Sequence, residues 1–147
     1  MAVAERKAEA IWEGNLQQGK GTVTPGSGAF ETLNVTWASR TEDPNGRTSP
    51  EELIAAAHAA CYAMAFSNTL NSAGTPPERL DVTAVCTLDR VDGKMKITTM
   101  RLDVHGKVPG LDQAGFASAA QTAEQGCPVS NALRNNVQVT VNATLDQ

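Results

Sequence analysis

A chain of 147 residues with 41 % apolar side chains is long enough to bury one sizeable core, so a single domain over residues 1–147 is expected. Its formal net charge of −4 is spread along the sequence, with no Lys/Arg run and only 4 % aromatics to interleave with one, which argues against a nucleic-acid partner. The segment Met1 to Glu9 has no apolar core of signal-peptide length, and no unbroken run reaches the roughly 18 apolar residues of a membrane span.

Three cysteines in such a chain point to a reducing compartment, the cytoplasm, where cysteine pairs that persist tend to be catalytic or redox-active. A metal site is not expected. There is no Cys-x-x-Cys, and His58 with Cys61 at i, i+3 makes an incomplete ligand set.

Between Lys7 and Trp37 the runs Ala8 to Trp12, Gly21 to Thr24 and Leu33 to Trp37 are separated by glycine and proline, which predicts a meander of two or three strands. Ser39 to Thr48, with Asp43-Pro44-Asn45-Gly46, reads as a loop that delivers Arg40 and Arg47 just ahead of a helix. Ser49 offers the N-cap of that helix, Pro50 suits its first position, and Glu52 completes a capping box. The helix should run to about Asn71, before Ser72-Ala73-Gly74 and Pro76-Pro77. From Leu53 to Phe66 nearly every position is apolar and many are alanine, which predicts a helix buried all round, at the centre of a fold or of a dimer.

A hairpin follows, Leu80 to Val91 and Lys94 to Gly106, joined by Asp92-Gly93. Alternation puts Cys86 on one strand face with Leu80, Val82, Ala84 and Leu88, as a small structural hydrophobe. Asp112 can cap a helix from Gln113 to Gln125, with Gly126 at its C′ position. Cys127 falls just beyond, in what reads as an accessible and mobile place. Pro128 opens a short turn through Leu133, and Val137 to Val141 alternates as a last strand. The order β-β-β-α-β-β-α-β predicts an α+β domain and not a doubly wound parallel sheet.

A cysteine of ordinary pKa is only a few per cent thiolate at neutral pH, whereas the thiolate is the nucleophile. Cys61 lies about three turns inside its helix, beyond the reach of the macrodipole, and burial among alanines would raise its pKa further. A cation must come from outside the helix. Arginine suits best, and lowering the pKa by about two units takes roughly 2.7 kcal/mol. Arg40 and Arg47 are the nearest candidates. Glu51, not needed for capping, either favours the helix dipole or orients an arginine by a bidentate pair. His58 is either a partnered core or interface histidine or a base for Cys61.

The stretch Ser49-Pro50-Glu51-Glu52-Leu53-Ile54-Ala55-Ala56-Ala57-His58-Ala59-Ala60-Cys61 resembles the first signature of the OsmC/Ohr family of bacterial thiol peroxidases, in its OsmC form, and Gly126-Cys127-Pro128-Val129-Ser130 resembles the second. The resemblance implies an intertwined α+β homodimer with two central buried helices and two interfacial sites. It implies Cys61 as the peroxidatic and Cys127 as the resolving cysteine, Glu51 as the carboxylate and Arg40 as the arginine, with no cofactor. Tyr62 stands where relatives often have phenylalanine, and Thr41 where an aromatic is expected after the arginine, which keeps Arg47 as a fallback.

The implied chemistry is attack of the Cys61 thiolate on an organic hydroperoxide, giving an alcohol and a sulfenic acid, then condensation with Cys127 to a disulfide. An external dithiol, lipoyl-type in the Ohr branch, would reduce that disulfide. Two other classes compete: a non-enzymatic stress-related binding protein, and a cysteine hydrolase or acyltransferase using Cys61 and His58.

Glu51 and Cys61 are ten positions apart on one helix, roughly 15 Å along its axis. One arginine head group cannot touch both. If Glu51 orients the arginine, it is expected to serve the partner's Cys61 in a two-fold dimer.

Overall fold

Three short strands form where the first apolar runs alternate. In the computed structural model, which describes residues 1–146, these are β1 (Ala8–Glu13), β2 (Lys20–Pro25) and β3 (Leu33–Val35), paired antiparallel in that order. Trp12 pairs with Gly21, and a Cβ on Gly21 would meet the indole at 2.6 Å, so glycine is what lets the ring lie on β2. This sheet belongs to the first of two compact units, Met1–Leu53, and the second begins at Ile54.

The third strand is shorter than expected because Thr36 caps a helix. α1 (Trp37–Thr41) occupies part of the predicted loop, and it starts with a reciprocal box: Thr36 Oγ1 accepts from Ser39 N–H at 3.0 Å and Ser39 Oγ accepts from Thr36 N–H at 2.9 Å. Serine stands where the usual box has Glu or Gln, which hides the signal in the sequence. Arg40 is therefore fixed on a helical turn.

α2 (Pro50–Ser72) begins and ends close to expectation. Ser49 Oγ accepts from Glu52 N–H at 3.1 Å, while the Glu52 carboxylate accepts from the Thr48 hydroxyl at 2.7 Å, so only half of the predicted box forms at Ser49. The helix is not buried all round within one chain. His58, Tyr62, Phe66 and Leu70, spaced i, i+4, make its buried stripe, whereas Ala56, Ala57 and Ala60 are exposed and Met64 keeps 68 % of its surface. By averaged hydropathy, unlike the count of unbroken apolar residues, α2 is long and apolar enough to cross a membrane, with 22 % of an 18-residue window buried.

The second unit is built on the hairpin β4 (Arg79–Val91) and β5 (Lys94–Lys107). Asp92 and Gly93 take positive φ of 52° and 78°, the type I′ geometry that matches strand twist. α3 (Gln113–Gly126) and α4 (Pro128–Leu133) then cross over to β6 (Gln138–Leu145), which pairs parallel with β5. Asp112 caps α3 by accepting from Gly115 N–H at 2.8 Å.

One face of this sheet, with Leu102, Val104 and Leu145, packs in a common cluster with Tyr62, Phe66 and Leu70 of α2 and Phe116, Ala120 and Ala123 of α3. Phe66 stacks on Phe116 at 4.9 Å and meets Tyr62 edge-on at 5.6 Å. Each of these three rings is fully buried, a stabilisation of about 2 kcal/mol apiece by apolar area. Cys86 lies half-buried on the predicted face of β4, opposite Met100.

Candidate functional site

Cys61 is the twelfth residue of α2 and half-buried. Cys127 ends α3 and starts α4, with extended backbone at φ −82° and ψ 116°. The two thiols face each other, Sγ to Sγ 3.3 Å, with Cys127 placed to donate. A disulfide needs about 2.05 Å, so the two sulfurs are in contact and not bonded.

The surroundings of the two thiols are the reverse of what their sequence context suggests. Cys127 is fully buried, in the cluster with Tyr62, Phe116, Ala120 and Ala123, not accessible. Gly126 is the last helical residue and lacks the positive φ of a C′ glycine, so α3 runs directly into the junction. Pro128 then starts α4 at once, and Asn131 N–H closes its first turn on Cys127 C=O at 2.9 Å.

Burial pushes the Cys61 pKa up; the Val129 backbone N–H works against this by favouring the thiolate, and the neighbouring Cys127 raises it further. Among the described residues, no cation is among the causes of this shift.

His58 does not bond the thiol. It is fully buried, with Nε2 at 2.7 Å from Ser130 Oγ, and its Nδ1 has no hydrogen-bond partner among the described residues. Burial lowers its pKa, partly offset by Glu124, and so favours the neutral imidazole. The Tyr62 phenol donates to Ala120 C=O at 2.8 Å, and burial foremost, then Glu124 and Cys127, keeps it protonated.

Sequence reasoning missed a part-buried ion pair that straddles Cys127. Glu124, 8 % exposed, binds Arg134 Nη2 at 2.6 Å through Oε1 and accepts from Gln125 Nε2 at 2.9 Å through Oε2. Arg134 also reaches Glu124 C=O at 3.2 Å and the Asn131 side chain. The pair ties the end of α4 to the end of α3. Its only trace in the sequence is one acid and one base on either side of the cysteine.

In the first unit, Arg40 and Glu51 form a forked pair. Arg40 Nε lies 3.0 and 3.2 Å from the two carboxylate oxygens and Nη2 lies 2.9 Å from Oε2. Glu51 is 7 % exposed. The guanidinium sits 5.9 Å from the ring of Trp37, an aromatic one turn before Thr41 on α1. Arg47 is exposed and lines a hollow of about 340 Å³ with Glu13, Lys20 and Asn34.

An α+β fold that brings the thiols of two cysteines distant in sequence to 3.3 Å from each other defines a protein with a paired-thiol site. Residues 41–142 match the family described as OsmC-like protein. The chain is 43 % identical over 132 residues to peroxiredoxin OsmC of Escherichia coli strain K12, covering 90 % of this chain and 92 % of that one. It is 31 % identical over 99 residues to the organic hydroperoxide resistance protein of Xanthomonas axonopodis pv. citri, covering 64 % and 65 %. The crystal structure of an organic hydroperoxide resistance protein OsmC from Legionella pneumophila superposes with a TM-score of 0.77 at 27 % identity, covering 98 % of this chain and 99 % of that one. The chain belongs to the OsmC-like family.

Proposed function

We propose that the protein is a cysteine-based peroxidase that reduces organic hydroperoxides and protects against oxidative and osmotic stress. The observation that carries this reading is the 3.3 Å thiol pair on a chain 43 % identical to a peroxiredoxin. The Cys61 thiolate attacks the distal peroxide oxygen, the O–O bond breaks, and the alkoxide takes a proton to leave as an alcohol. Cys61 is left as a sulfenic acid. Cys127 attacks that sulfur, water leaves, and the disulfide is returned to two thiols by an external dithiol of lipoyl type or another thiol.

The working form is a homodimer in which residues 1–147 act as one domain, in the cytoplasm. Two features support it. The exposed alanine and Met64 face of α2 is apolar and is left uncovered by the described residues. Cys61 also needs a cation, and the Arg40 guanidinium, oriented by the buried Glu51 carboxylate, is a preorganised one; with Glu51 and Cys61 roughly 15 Å apart along α2, that guanidinium serves the partner's Cys61.

The hydrolase reading is disfavoured because His58 is bonded to Ser130 and not to Cys61. The test is consumption of an organic hydroperoxide with a dithiol present, run beside hydrogen peroxide. Turnover with preference for the organic substrate supports the proposal; no consumption of either would leave the non-enzymatic binding reading.

A further inference from the structure

His58 and Ser130 repeat the spacing of the two cysteines. His58 stands three residues before Cys61 on α2, and Ser130 stands three residues after Cys127 on α4, so each lies about one helical turn from a thiol. The two cross-helix contacts are Nε2 to Oγ at 2.7 Å and Sγ to Sγ at 3.3 Å. Both polar side chains are fully buried.

This bond is an expensive way to fill space. Nδ1 of His58 is buried without a partner among the described residues, so the residue gives up one of its hydrogen bonds, and an apolar side chain would occupy the site at lower cost. An Nδ1 with no acceptor carries the lone pair, so Nε2–H donates and Ser130 Oγ accepts. α4 itself is six residues long and too short to hold its own position.

We infer that the His58–Ser130 hydrogen bond is a positioning pair for resolution, holding α4 in register against α2 so that Cys127 meets the Cys61 sulfenic acid. The inference rests on the peroxidase reading above. In the step it serves, a bond forms between the two sulfurs, the Cys61 S–O bond breaks, and the hydroxyl leaves with the Cys127 thiol proton as water. The Cys61 sulfur is reduced and the Cys127 sulfur oxidised. The sulfurs must close from 3.3 Å to about 2.05 Å, and an error of about 1 Å in such a geometry can cost about a hundredfold in rate.

The experiment is a single turnover of the reduced full chain with one equivalent of cumene hydroperoxide, quenched over time and read by mass spectrometry for sulfenic acid and disulfide. His58→Leu and Ser130→Ala should slow disulfide closure about tenfold or more while sulfenic acid forms within about twofold of the wild-type rate. The double variant should be no slower than the slower single one. His58→Gln, whose amide reaches the Nε2 position, should restore closure, and His58→Asn, whose amide sits at Nδ1, should not. The inference is overturned by wild-type closure in the two deletion variants, by multiplying losses in the double variant, or by equal slowing of both steps. Should the deletions unfold the chain, equal closure in His58→Gln and His58→Asn overturns it. A wild type that forms sulfenic acid but no disulfide overturns the inference and the resolving role of Cys127 while leaving peroxide reduction at Cys61 standing, whereas one that forms neither overturns the peroxidase reading as well.

Discussion

A thiol twelve residues into an alanine-rich helix has no local charge to make it reactive, and the chemistry therefore depends on groups brought from elsewhere. Burial raises the Cys61 pKa and so favours the protonated thiol, and a guanidinium brought close to it would act the other way by favouring the anion. Arg40→Met should move the midpoint of Cys61 alkylation to higher pH and slow peroxide attack at pH 7 by about tenfold or more, with recovery as pH rises. Unchanged alkylation curves would remove Arg40 from the site and promote Arg47. The cysteines should also differ in kind. Cys61→Ser should abolish peroxide reduction, whereas Cys127→Ser should accumulate sulfenic acid that a dimedone-type trap labels at Cys61. Labelling at Cys127 in the wild type in preference to Cys61 would reverse the roles. What the sequence could not reveal at this scale is burial. Cys127 follows a glycine and precedes a proline, a loop-like context, yet Ser130 and the Glu124–Arg134 pair fold that junction into the core through contacts distant in sequence.

Local signals were legible where the chemistry is strictly local. Pro50 suits a first helical turn because its missing N–H costs nothing there, the Asp92-Gly93 turn and the Asp112 cap act within a few residues, and α2, the hairpin and α3 start where those residues predict. α1 was not legible, because its box uses Ser39 in place of Glu or Gln, nor was the parallel placement of β6, which depends on the crossover. Packing of α3 on β5 depends on a missing side chain. A Cβ at Gly106 would meet the Phe116 ring at 2.4 Å. Gly106→Ala should therefore cost about 1–3 kcal/mol in urea unfolding, through displacement of Phe116. A neutral or stabilising effect would mean the ring has room to move.

For the whole molecule, the apolar face of α2 and the distance along that helix are the two features behind the proposed second chain. If Glu51 of one chain serves the partner's Cys61, a mixture of Cys61→Ser and Glu51→Ala chains should regain activity, because one site of the heterodimer keeps an intact cysteine and an intact glutamate. Activity should return toward about half of wild type, one of two equivalent sites being whole. A heterodimer as inactive as its parents would place the site within one chain. The central claim is that Cys61 and Cys127 form a disulfide in reducing a hydroperoxide, and its most direct measurement is peptide mapping of the full chain after one equivalent of an organic hydroperoxide. The account predicts one equivalent of alcohol, a Cys61–Cys127 cross-link and an unmodified Cys86. Alcohol release without that cross-link, or a cross-link through Cys86, would contradict it.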